Sequence, residues 1–82
     1  MALSFSYQLI KQDGFTSVVV SPHPDWDEFE QFVDVFLNNE QAHLIERDLG
    51  MDRHQVRYRK GQEQFILQFE HYTNSIWVER DY

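Results

Sequence analysis

The chain opens on an alternation. Leu3, Phe5, Tyr7 and Leu9 are interleaved with Ser4, Ser6 and Gln8, the period of a strand with one face buried. Asp13-Gly14 follows, a strong two-residue hairpin signal. A turn there sets Gln12 against Phe15, Leu9 against Val18 and Tyr7 against Val20. Opposed residues share a face, so one side of the hairpin collects Leu3, Phe5, Tyr7, Leu9, Val18 and Val20. Ser21-Pro22-His23-Pro24 ends the second strand, because proline cannot donate to a ladder. The period then changes. Trp26, Phe29, Phe32, Val33, Phe36 and Leu37 recur at helical spacing, which predicts a helix over residues 24–38. Pro24 suits its first position, the acids Asp25, Asp27 and Glu28 complement its dipole, and Asn38-Asn39 is the expected stop.

Residues 42–49 fit two descriptions, a strand over Ala42–Arg47 or a short helix closed by Gly50, and the strand is preferred. Beyond them the chain reads as a meander. Gly61-Gln62 suits a turn with glycine first. It opposes Lys60 to Glu63, Tyr58 to Phe65, Val56 to Leu67, His54 to Phe69 and, on the other face, Arg53 to Glu70. A two-residue turn at Thr73-Asn74 would then set Phe69 against Val78 and His71 against Ile76. The expected fold class is α+β, a two-layer arrangement in the order β-β-α-β-β-β-β, with the third strand open to replacement by a short helix.

Length, composition and charge narrow this picture. At 82 residues a single domain over residues 1–82 is expected. Seven Phe, four Tyr and two Trp supply buried area in a chain with no cysteine to staple it. A reducing, cytoplasmic setting is the expectation. Met1-Ala2-Leu3-Ser4 has neither a basic nor an apolar signal region, and no apolar run is long enough to span a bilayer. The net charge of −7 is unevenly placed: residues 1–46 hold eight acids and one base, residues 47–82 six of each. An acidic helix and no basic cluster argue against a nucleic-acid partner.

Three groups of residues are candidates for chemistry. The registers turn Arg53, Arg57, Arg59, Ile66, Tyr72 and Trp77 away from the helix, with Glu70 beside Trp77. Tryptophan, tyrosine and arginine are enriched in protein contacts, so Trp77, Arg53, Arg57, Ile66 and Tyr72 form a candidate interaction surface. The competing description is a tryptophan covered by the chain's own arginine stems. His54, Glu70 and His71 form a candidate polar site, with Tyr72 beside them, for a small ligand-binding or enzymatic domain. Of the four histidines (with His23 and His43), none shows metal-ligand spacing, so neither a metal nor another cofactor is expected. Asp25, Asp27, Glu28, Glu30 and Asp34 could present an acidic helix to a basic partner, although solvation and dipole complementarity account for them. No nucleophile motif or phosphate-cradling glycine loop is present, and no catalytic residue is assigned.

Two segments, Leu49-Gly50-Met51-Asp52-Arg53-His54-Gln55 and Phe69-Glu70-His71-Tyr72-Thr73-Asn74-Ser75-Ile76-Trp77-Val78-Glu79, carry a resemblance. They resemble a small family of uncharacterised bacterial proteins, mainly gammaproteobacterial and of similar length. That family carries Gly-x-Asp-x-His-Gln and Glu-His-Tyr-Ser-x-Ser-x-Trp-x-Glu elements, from the second of which Thr73-Asn74-Ser75 departs slightly. The resemblance implies a bacterial cytoplasmic protein and brings no activity, substrate or cofactor. It draws attention to His54, Glu70, His71, Tyr72 and Trp77. The function expected is a non-enzymatic module that binds a protein partner or, as a homodimer, a second copy of itself.

Overall fold

A computed structural model describes residues 4–81. Along the chain it has β1 (Ser6–Lys11), β2 (Thr16–Ser21), α1 (Phe29–Glu40), β3 (His43–Leu49), β4 (Arg53–Lys60), β5 (Glu63–Glu70) and β6 (Ser75–Arg80). The strands form one open antiparallel sheet in the spatial order β1-β2-β6-β5-β4-β3. The N-terminal hairpin therefore joins the meander through β6, a pairing between segments far apart in sequence. Among the described residues β1 and β3 are the edges, and the architecture is α+β.

The helix covers one face of this sheet. Phe29, Phe32, Val33 and Phe36 are its buried stripe. They pack on Phe5, Val18, Val20, Val56, Tyr58, Leu67, Phe69, Ile76 and Val78. The core is mainly ring against ring: Phe36 meets Tyr58 edge-on at 5.5 Å, Phe32 meets Tyr7 at 5.7 Å and Phe29 meets Phe69 at 5.0 Å. Such pairs add to the area they bury. At the rim the Tyr7 hydroxyl donates to Glu40 Oε2 at 2.6 Å, and Lys60 Nζ binds the other oxygen at 2.8 Å. Burial pushes the Glu40 carboxyl up, but these two donors outweigh it and hold the group below its ordinary value.

The helix begins five residues later and ends two residues later than its expected bounds of 24–38. Asp25 and Glu28 each accept the other's backbone N–H on a side-chain oxygen, both at 3.1 Å, and Glu28 N also reaches Asp25 O. This reciprocal bonding, in the manner of a capping box, closes a separate turn. Pro24 is therefore not the first helical residue, and Trp26 belongs to the turn rather than to the helical stripe. At the other end Asn38-Asn39 does not stop the helix. Gln41 takes the left-handed conformation (φ 54°), with Ala42 N bonded to Leu37 O and Gln41 N to Asn38 O. That pattern is the Schellman motif, here built on glutamine.

The first hairpin has the expected pairs Tyr7–Val20 and Leu9–Val18, and β4 pairs with β5 as its turn residues imply, from Lys60–Glu63 to Arg53–Glu70. Two details differ. Leu9 is 46% exposed, because β1 is an edge that the helix overlaps only near Tyr7; Leu3 lies outside the described residues. The β5–β6 ladder is shifted by two: Phe69 faces Ile76, Leu67 faces Val78 and Glu70 faces Ser75. The connection is a four-residue loop over residues 71–74. The Glu70 carboxylate accepts from Thr73 N and from the Thr73 hydroxyl, and Asn74 takes a positive φ of 58°. A shift of two leaves every side chain on its face, but Trp77 now stands beside Gln68 instead of Glu70.

Candidate interaction surface

Alternation along the strands sends the residues between core positions to the face that the helix does not cover. On that face one row runs Ser17, Trp77, Gln68, Gln55 and Asp48, and the next runs Glu79, Ile66, Arg57 and Glu46. The two halves of the face differ in chemistry. Toward β3 it is charged and self-satisfied. Arg57 donates to Asp81 Oδ2 at 2.9 Å and lies 3.2 Å from Glu46 Oε1, which raises its pKa further, chiefly through the bond to Asp81. Gln55 and Gln68 share a 3.0 Å bond.

Toward β1 the face is uncharged and open, with apolar residues among serines and a glutamine. Val19 is 51% exposed, Ile10 43% and Phe15 41%. This strip leads to Trp77, which is half-buried. Its indole N–H donates to Glu79 Oε1 at 2.6 Å, and the Arg53 guanidinium stands 6.0 Å from the ring centre. The arginine covers one side of the indole without closing it off. β2 and β6 share only the pairs Thr16–Val78 and Ser17–Trp77. Beside these pairs lies a cleft of about 530 Å³, lined by Phe15, Ser17, Thr73, Ser75, Ile76, Trp77 and Glu79.

Of the residues expected at an interaction surface, the structure places Trp77, Arg53, Ile66 and Arg57 together on this face. Tyr72 projects from the 71–74 loop and is 81% exposed. Arg59 lies further along β4, facing Gln64 and His43. Phe15, Val19 and Ile10 were missed by sequence reasoning, although the signal was there. The hairpin register that buries Val18 and Val20 necessarily turns Val19 and Ile10 outward.

The candidate polar site is divided between layers. His54 is buried on the helix side, against Trp26 (3.9 Å between centroids) and Phe29 (5.0 Å). Its Nδ1 finds no hydrogen-bond partner among the described residues. Burial lowers its pKa, against the opposing pull of the Glu30 carboxylate. Glu70 lies on the opposite face, where its bonds to Thr73 hold its carboxyl below the ordinary value. His71 is in the loop, edge-on to the far side of the cluster at Trp26 (5.3 Å). Trp26 thus contacts both histidines. The acidic helix is partly engaged as well, since Arg47 of β3 lies 2.6 Å from Glu30 and 3.5 Å from Asp34. Among the described residues no three His, Cys, Asp or Glu side chains are grouped to hold a metal, and no helix is long and apolar enough to cross a membrane.

A family described as a protein of unknown function (DUF3630) matches residues 7–82. The chain belongs to this family. The DUF3630 match takes in the helix, β2 to β6 and all of β1 but its first residue. No curated protein and no solved structure matches the chain.

Proposed function

We propose that this protein is a non-enzymatic interaction module that binds a protein through the open face of its sheet, in a bacterial cytoplasmic setting. The observation that carries the reading is the apolar strip of Ile10, Val19 and Phe15 running to Trp77 on a face the helix leaves bare. Contiguous exposed apolar surface with a polar rim marks contact sites, and a half-buried tryptophan beside arginine is the usual composition of a binding centre. Arg53 and Ile66 extend the centre, while Arg57 and Tyr72 stand at its rim. The ion pairs toward β3 give that rim its charge.

The test is a photo-crosslinking residue, p-benzoylphenylalanine, placed at Phe15 or at Val19 in living cells. Gln31, exposed on the helix, is the control position. A discrete protein adduct from Phe15 and Val19, absent from Gln31, is the expected result. No adduct at the sheet positions, or equal adducts at all three, overturns the reading.

A further inference from the structure

We propose that the protein's partner is a second copy of itself, joined edge to edge through β1 to make one continuous sheet. This rests on the reading of the molecule as an interaction module and adds a contact along the edge of the open face.

The two edges of the sheet are built differently. β3 carries Glu46, Arg47 and Asp48 in succession and breaks its ladder at Ile45, where the register slips between Leu44 and Glu46. Charge and a bulge are the ordinary protections of an edge strand against pairing. β1, with the sequence SYQLIK, has no bulge, no acid and no proline, keeps an unbroken register from Ser6 to Lys11, and carries its single charge, Lys11, at the very end of the strand. Its neighbour β2, TSVVVS, carries no charge at all. In a chain of net charge −7, this corner is the place where two copies can meet without repulsion.

The backbone of β1 is also set for a two-fold pairing. Antiparallel pairs alternate between those that exchange hydrogen bonds and those that do not. Gln12 N donates to Phe15 O at 2.8 Å. Counting back by twos, Ile10, Gln8 and Ser6 bond to β2, and the N–H and C=O groups of Tyr7, Leu9 and Lys11 point outward. Placing the two-fold axis at Leu9 opposes Leu9 to the partner's Leu9, and Tyr7 to the partner's Lys11. Each of these pairs then exchanges both its bonds, and each keeps its side chains on the correct face. The pairing also carries charge complementarity. Lys11 comes opposite a tyrosine whose hydroxyl already rests on the Glu40 carboxylate, so its ammonium group is brought toward that anion. Leu9, exposed in the single chain, is covered at the axis, and on the outer face Ile10 comes opposite the partner's Gln8.

The chain has no cysteine, so Leu9→Cys provides a single handle. A short bis-maleimide is expected to trap Leu9→Cys as a covalent dimer and to leave Ile45→Cys, on the other edge, monomeric. Wild-type protein is expected to sediment at twice the 10.0 kDa chain mass at high concentration. Leu9→Lys, which opposes two ammonium groups at the axis, is expected to stay at the single-chain mass with an unchanged circular dichroism spectrum. A wild-type chain that remains monomeric at every concentration overturns the proposal. So does a dimer that Leu9→Lys leaves intact and Leu9→Cys does not trap. A monomeric chain that still photo-crosslinks a different protein through Phe15 and Val19 overturns the second-copy proposal alone; a monomeric chain with no adduct overturns both readings.

Discussion

Phe69→Ala is expected to destabilise the fold by about 3–5 kcal/mol, the range for truncating a fully buried phenylalanine. Phe69 has no exposed surface and touches Phe29, Trp26, His23 and His54 within about 6 Å. These neighbours come from the helix, the turn before it and β4, so the truncation opens a cavity where three segments meet. Total stability for a chain of this size is only about 4–12 kcal/mol. The variant is therefore expected to have its urea midpoint reduced by about a quarter or more, or to be unfolded without denaturant. Val19→Ala, on the open face, supplies the contrast: surface substitutions usually stay within about 0.5 kcal/mol. Equal midpoints for Phe69→Ala and wild type would remove the aromatic cluster as the centre of the core.

The second large effect is acid lability arising from His54. Burial holds its imidazole below the ordinary value of 6.5, because a charge in that ring environment is poorly solvated. Trp26, Phe29 and Phe69 supply the rings around it, and the Glu30 carboxylate opposes the shift. Unfolding restores the ordinary value. Below 6.5 the unfolded chain takes up a proton that the folded chain declines, so the stability is fully present above that pH and is lost as pH falls toward and through the folded value. The slope can reach about 1.4 kcal/mol per pH unit. Glu40 and Glu70 are also lowered, but from an ordinary value of 4.5, so their contributions are lost at lower pH. Urea melts at about pH 7.5 and 5.5, which bracket the ordinary histidine value, are expected to show a loss in wild type and little change in His54→Phe. That variant also removes the unpartnered ring nitrogen. The same slope in both proteins would place the titration elsewhere.

What the sequence made legible was what short-range chemistry determines. Asp13-Gly14 and Gly61-Gln62 set their hairpin registers with their own turn residues, and the flanking apolar residues agree with them. The β5–β6 register was not legible in the same way, because a side chain decides it: Glu70 reaches forward to Thr73 and lengthens the loop. Trp26 misled for a similar reason. Its spacing suits a helical stripe, but the Asp25–Glu28 bonds close a turn first, and the indole covers His54 instead. The place of the hairpin beside β6 has no local signal at all. It follows from burying Val18 and Val20 on the same side as Ile76 and Val78. For the candidate surface, Trp77 and Arg53 were visible from alternation in the meander. The hairpin register already turns Val19 and Ile10 outward; that they lie beside Trp77 follows only from the pairing of β2 with β6.

The claim that the β1 side of the sheet is a contact surface is most directly tested by amide hydrogen exchange at low and high protein concentration. The outward N–H groups of Tyr7, Leu9 and Lys11 are expected to exchange rapidly when dilute and to become protected when concentrated, with no concentration dependence along β3. Exchange at Tyr7, Leu9 and Lys11 that stays rapid at every concentration, or protection that appears along β3 instead, would contradict it.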